Sequence, residues 1–481
     1  RLAVVDAERR ATQLAVTNKS QELLFRIGRR MRVVGTRSGM RDLGVHAYTE
    51  LDGSPLVAAG DGFRMSFLAG GRDENGVLMG GVEVDTLAAF DGKIFAGTSY
   101  RKNTQFETTD PDPPGAQVLV LDRPNGRWRA DFTVPAAEAG ASPRMVYLTT
   151  VRFETDAAGR RLAPPIERLA AVSGNGEIYL RAPGEPAQWT ASGLRDVVQA
   201  FAGLDERPDA RSVVSHTDAL TGQSMLLAGA GVGRRGAGGG IYRGTWDSSL
   251  PGRIAWAPAP ELEIPDARPN PRVMGLIEAD GRVYASVGRQ LLERIGGATP
   301  TWRQIYRDEL DAGADSLRRA TPVRGPDGST SLLVGIEGFD GRLVRVDLEA
   351  GTATDEIFGR GAVDGVFHAL LGYNGPAVRE LDDGTELAIM GLHVLRPRRG
   401  PIEAEVPDLG RHYDYAEGLI LLRSEAGEHA VNRILDRTLE VHPPLIGTRA
   451  ILPHSPFPGE EDVLYFAGFD HDGHLFHNTG W

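Results

Sequence analysis

From about Val45 onward one local pattern recurs along the chain: apolar and polar residues alternate, a tight glycine-containing turn follows, and a second alternating run comes after it. Alternation with period two puts one face of a strand against a core. Two such runs separated by Asp-Gly or Asn-Gly predict a β-hairpin with a type I′ turn, because both central residues of that turn need positive φ. The phrase is read in residues 87–97, 169–180, 275–286, 336–346 and 465–476, with apex glycines Gly92, Gly176, Gly281, Gly341 and Gly473. Polar runs that carry a tryptophan follow several hairpins, at 126–134, 187–190 and 301–306, and suit the outermost strand of a small sheet.

The apex glycines are separated by irregular gaps of roughly one to three times the ~40–50 residues of a propeller blade, a scatter that loops of variable length produce. The fold expected is therefore all-β, a closed β-propeller of seven blades with eight as the alternative count. Blades are placed at about 45–80, 81–137, 144–194, 197–264, 272–310, 316–360 and 364–437, with 445–481 closing the ring beside the N-terminal part. Closure inside one blade removes open sheet edges. A two-sheet sandwich or a parallel β-helix accounts less economically for repeated hairpins over so long a stretch. Before the ring, Leu2, Val5, Leu14, Leu23, Leu24 and Ile27 are spread among Arg, Glu and Gln, which predicts a helical lead-in within residues 1–44, ahead of the propeller at 45–481.

Composition sharpens this picture. Sixty-one glycines and 30 prolines in 481 residues call for frequent turns and leave little room for long helices. No apolar run approaches the ~18 residues of a membrane helix, so no membrane span is expected. A formal charge of −12 argues against nucleic acid as a partner, since phosphate binding needs a basic surface. There is no cysteine, which excludes disulfides, thiolate metal sites and cysteine nucleophiles. The chain begins at Arg1 rather than at methionine, which fits either removal of an export signal or a merely trimmed sequence; the first is preferred and sets the expectation of a secreted or periplasmic protein.

Candidate chemistry is dispersed. Gly231, Gly233 and Gly236 match the dinucleotide fingerprint, but another strand rather than a helix is expected after them, so no cofactor is assigned there. Asp470, His471, Asp472 and His474 form the densest cluster of metal-competent side chains, suited to a divalent ion such as zinc or calcium, although they straddle a hairpin apex where a solvated polar turn is the plainer reading. His216, His368, His393 and His454 stand where strand pattern meets loop, positions from which separate blades can deliver side chains to one mouth of a central channel. Arg101, Arg152 and Tyr373, followed by Asn374, are further candidates, with arginine able to neutralise a carboxylate and histidine or tyrosine able to move a proton. Each of them also has a purely structural reading, as a satisfied residue between blades. The serine-elbow, zinc-protease, phosphate-loop and EF-hand signatures do not occur.

The C-terminal passages 454–457, 463–470 and 477–481 resemble closing blades of exported bacterial propellers, and are similar in a looser way to propeller polysaccharide lyases of the ulvan-lyase type. The resemblance covers under a tenth of the chain. It implies export and a pocket at the channel that acts on an anionic extracellular polysaccharide, using histidine and tyrosine as acid and base and arginine against the uronate charge, in some cases with a structural metal. No catalytic motif of that family aligns residue by residue, so no site is carried over. The other class of function expected is a non-catalytic propeller that binds a protein or glycan ligand.

Overall fold

The computed structural model describes five short strands before residue 56, and then residues 66–68, 72–79, 83–99, 115–135, 144–203, 208–232, 239–264, 272–309, 316–337, 341–358, 368–372, 374–381, 383–397, 413–415, 419–433, 445–460, 463–472 and 475–480. They form an all-β propeller arrangement with one helix. Six blades are each built from one contiguous stretch of chain as an antiparallel sheet. The first comprises Glu83–Phe90, Lys93–Ser99, Gln117–Leu121 and Arg129–Thr133, and the second Met145–Thr155, Arg161–Ser173, Ile178–Arg181 and Trp189–Ala191. The third contains Pro208–Thr217, Ser224–Val232, Gly239–Trp246 and Ile254–Trp256, with Leu262–Ile264 also paired to its third strand. The fourth runs through Val273–Ala279, Arg282–Val287, Gln290–Ile295 and Thr301–Arg307, and the fifth through Ser316–Arg324, Thr330–Glu337, Arg342–Asp347 and Ala353–Phe358. In the sixth, His368–Leu371 and Ala377–Glu380 both pair with Glu386–Pro397, followed by Leu419–Ser424 and His429–Arg433.

The blade count differs from the seven expected. The stretch assigned to a blade at 45–80 does not supply one among the described residues: Glu50–Leu51 pairs only with Ser54–Pro55, and Phe67–Leu68 is taken by the C-terminal strands. Glycines at 53, 60, 62, 70 and 71 break the apolar runs there into pieces too short for a four-stranded sheet. Among the described residues no ladder joins the sixth blade to the first, so the ring is not closed by hydrogen bonds between blades. Between them lies a composite sheet of Leu445–Leu452, Tyr465–Asp472 and Leu475–Gly480, completed by Phe67–Leu68 through the pairs Thr479↔Leu68 and Gly480↔Phe67. Within residues 1–44 the described elements are the strands Leu2–Val5, Ala11–Thr12 and Arg32–Gly35; the rest of the expected helical lead-in falls outside the described residues.

The core lies between neighbouring sheets. Phe95, Val118, Val120, Met145, Leu169 and Tyr179 join the first blade to the second, and Leu291, Leu317, Leu332 and Val344 join the fourth to the fifth. The composite sheet packs on the first blade through Ala450, Leu452, Tyr465 and Ala467 against Ile94, Leu119 and Trp128. Polar contacts repeat at the same joints. Indole N–H groups donate backwards to the preceding blade, from Trp189 to Asp131 at 2.9 Å, from Trp256 to the Ser192 carbonyl at 3.0 Å and from Trp302 to Glu261 at 3.2 Å. Arginines on third strands clamp carboxylates of the preceding blade: Arg181 on Asp131 at 2.8 Å, Arg294 on Glu261 at 2.7 Å, Arg342 on Asp308, and Arg423 on Glu356 at 2.6 Å. An arginine fork suits this task because it binds a carboxylate in a fixed planar geometry.

The helix Leu194–Ala202 links the second blade to the third and buries Leu194 and Val198 in the core between them. Its first backbone donors are satisfied from a neighbouring hairpin. Buried Glu177 accepts from Gly193 N at 3.0 Å and Leu194 N at 3.3 Å, and also from Ser192 Oγ at 2.8 Å and Ile178 N at 2.9 Å. Burial raises the carboxyl pKa of Glu177 even though these hydrogen bonds oppose the shift.

Candidate functional site

The first strands of successive blades are neighbours, as the inner strands around the axis of a propeller arrangement are, and those of the first two blades run in the same direction. Leu148 N donates to Thr86 Oγ1 at 3.0 Å, and further along both strands Thr150 Oγ1 donates to the Ala89 carbonyl at 3.5 Å. Near its start, each inner strand of the first five blades breaks register: at Asp85, Val146, Arg211, Met274 and the Arg318–Arg319 doublet. A bulge places an extra residue opposite the partner strand and re-aims its side chain. In the sixth blade the break is wider, because five residues, 372–376, stand opposite Met390 and Gly391.

These bulges bring distant residues together. Asp85 is fully buried; its Oδ2 accepts from Ser99 Oγ and from Arg144 Nη2 at 3.2 Å. Asn374 Nδ2, from the widened bulge of the sixth blade, donates to the Asp85 carbonyl, and Thr321 Oγ1 of the fifth donates to the Pro376 carbonyl at 2.8 Å. Arg319 of the fifth blade lies over the Tyr147 ring of the second, 3.2 Å from its centroid. Side chains from the first, second, fifth and sixth blades thus meet around the axis. Of this group only Asn374 was a sequence candidate. The readable signal for Arg319 was the Arg318–Arg319 doublet itself, since alternation cannot send two adjacent arginines to the same side of a strand.

The candidates read from sequence lie elsewhere. Arg152, His216 and His454 sit at the far ends of inner strands or just beyond them. His216 is buried, and its Nδ1 lies 3.0 Å from Glu278 Oε2 of the fourth blade. Arg152 is half-exposed and pairs with Glu167 at 3.0 Å and Glu154 at 3.4 Å, while its backbone N–H donates to Ser215 Oγ at 3.1 Å, beside His216. His454 follows Pro453, whose carbonyl accepts from Arg379 Nη1 at 2.9 Å; burial and then the Arg379 charge lower the imidazole pKa. No hydrogen bond or ion pair joins any two of Arg152, His216 and His454.

His368 and His393 occupy the paired strands His368–Leu371 and Glu386–Pro397, but their side chains, like Arg101 and Tyr373, lie outside the described residues. The hairpin expected across Gly473 is present, with Asp472 opposite Leu475; the side chains of Asp470, His471, Asp472 and His474 lie outside the described residues. Among the described residues no group of three or more histidine or carboxylate side chains is placed to hold a metal ion. Gly231 lies within Ser224–Val232, and the described chain resumes as the antiparallel strand Gly239–Trp246; Gly233 and Gly236 lie outside the described residues. With the geometry in view, comparison with known protein families and with curated proteins finds no match that assigns this chain to a family or lends it an activity.

Proposed function

We propose that the composite sheet serves as the closing, seventh blade, and that the mouth carrying Arg152, His216 and His454 acts on an anionic extracellular polysaccharide by β-elimination, in which the proton beside a uronate carboxylate is abstracted, the glycosidic C–O bond β to that carboxylate breaks to leave a C=C bond, and the departing sugar oxygen takes up a proton. The observation that carries this reading is the His216–Glu278 contact of 3.0 Å, a histidine held by a carboxylate from the next blade at the end of an inner strand. A carboxylate that fixes the imidazole and stabilises its cation is what a general base requires. His454 complements it, since the neighbouring Arg379 and burial favour its neutral form. Arg152 sits on the adjacent strand, where its pairs with Glu154 and Glu167 can be exchanged for a substrate carboxylate. Export is part of the same reading, because such polymers lie outside the cell.

The test is release of unsaturated product from a panel of uronate polymers, read by its ultraviolet absorbance. Wild type is expected to turn over at least one polymer, and His216→Ala to lower kcat about 10²–10⁴-fold. Absence of turnover by wild type across the panel overturns the lyase reading. Saturable binding of an oligosaccharide without turnover selects the second reading, a non-catalytic glycan-binding propeller, which the half-exposed charged pairs at this mouth favour.

A further inference from the structure

Arg319 lies 4% exposed on the axis and has no carboxylate partner among the described residues. Its neighbour in the same bulge, Arg318, pairs with Glu337, and Arg144 pairs with Asp85. The charges on those two arginines are therefore matched within the protein. Arg319 has only a long contact of 3.5 Å from Nη1 to the Leu276 carbonyl, and the Tyr147 ring covers one face of its guanidinium. Its Nε is buried with no hydrogen-bond partner, and the one hydrogen bond from its guanidinium to a described residue is that of Nη1. Burial of the unmatched cation pushes its pKa down. An unmatched guanidinium this deep carries a large desolvation penalty unless a counter-charge accompanies it.

The shape of the site restricts that counter-charge. The edge formed by Nε and Nη2 is the one that receives a carboxylate through two parallel hydrogen bonds. The backbone of Arg319 is held close on both sides, by Gly275 and Gly375, each of which would place a Cβ against Arg319 atoms. The guanidinium is thus fixed on a stacked face, with a long contact at Nη1 and no hydrogen-bond partner at Nε. We propose that Arg319 is the seat of a small monocarboxylate bound on the axis, a site separate from the mouth that carries His216 and independent of the function proposed for it. One uncompensated positive charge matches one carboxylate, whereas a phosphate dianion would leave net charge buried.

The carboxylate can come from a free small acid or from a sugar acid, so the probes are acetate, fluoroacetate and a monomeric uronate, with chloride and phosphate at matched ionic strength as controls. Expected results are a saturable rise in the melting temperature with acetate and line broadening of the ¹⁹F signal of fluoroacetate on addition of protein. Both should weaken about tenfold or more in Arg319→Lys, which keeps the charge and loses the planar fork, and both should persist in Tyr147→Phe, which keeps the stacking face. If only the monomeric uronate binds, the bound acid is a sugar acid and the site stands. Equal stabilisation by chloride or phosphate, absence of a saturable effect from every carboxylate, or unchanged fluoroacetate binding in a folded Arg319→Lys protein overturns the proposal. Folding of the variant is checked by its circular dichroism, so misfolding is not read as lost binding.

Discussion

The pair Glu356–Arg423 is the sharpest test of how the joints between blades are held. Glu356 stands on the outer strand of the fifth blade; Arg423 Nε and Nη2 each reach it at 2.6 Å, Arg345 Nε lies at 3.0 Å and His429 Nε2 at 3.4 Å. The Glu356 and Arg423 side chains are 8% and 4% exposed, so solvent screens them little. Burial alone would raise the Glu356 carboxyl, but the hydrogen bonds and charges of Arg423, followed by those of His429, bring it down from 4.5 to about 2. At 1.36 kcal/mol per unit the difference is worth about 3 kcal/mol. The folded pKa is depressed, so this stability is fully present above about pH 4.5 and is lost as pH falls toward 2. Glu356→Gln keeps the shape and removes the titration. It is expected to lower unfolding stability by up to about 3 kcal/mol at pH 7, with the gap to wild type closing by pH 2. Urea midpoints of both proteins between pH 7 and pH 2 measure this directly. A gap that stays constant across that range would refute the reasoning, because it would mean that the carboxylate charge is not what Arg423 holds.

Other joints yield further expectations. Glu177→Gln retains an acceptor for the helix start and should remove the decline in wild-type melting temperature as pH rises through the raised carboxyl pKa, read by calorimetry between pH 5 and pH 8. Glu177→Ala, which leaves four donors without their acceptor, should cost about 1–3 kcal/mol in the same measurement. Gly281→Ala adds a Cβ in open space at φ +70°, so its cost in urea should be the backbone term alone, roughly 1–2 kcal/mol. Gly391→Ala is expected to be worse, because its Cβ would meet the Thr448 backbone where the sixth blade abuts the composite sheet; a cost no larger than that of Gly281→Ala would count against that close approach.

The sequence made the hairpins legible wherever turn chemistry is local. Asp91-Gly92 and Asp280-Gly281 adopt the positive φ pair required by a type I′ turn. The tryptophan-bearing runs ending in Trp189–Ala191 and Thr301–Arg307 are outer strands as expected. Six of the blade boundaries were close because each blade is one contiguous stretch. The irregular spacing of the apex glycines has a simple origin: Gly92 and Gly281 join first strands to second, whereas Gly176 and Gly341 join second to third. What could not be read was anything that depends on pairing across the ring. Phe67–Leu68 carries no local sign that its partner lies at Thr479–Gly480, and the bulges that gather Asp85, Tyr147, Arg319 and Asn374 depend on a register set by the adjacent strand.

Phe67 and Gly480 are hydrogen-bonded neighbours although about 400 residues separate them along the chain. Bringing such distant segments together from an unfolded chain would cost about 4 kcal/mol more in loop-closure entropy than closing a four-residue hairpin. Local blades have no such barrier, since their strands follow one another directly, and local contacts form fastest. Order in time therefore follows from order in space: blades assemble against one another first, and their packed cores carry the two distant segments within reach. The edge of Leu475–Gly480 stays open until then, a template for any other extended segment. Synthesis runs from the N-terminus, so Phe67–Leu68 is already made when Leu475–Gly480 emerges, and that strand finds its own partner ahead of a neighbouring molecule's.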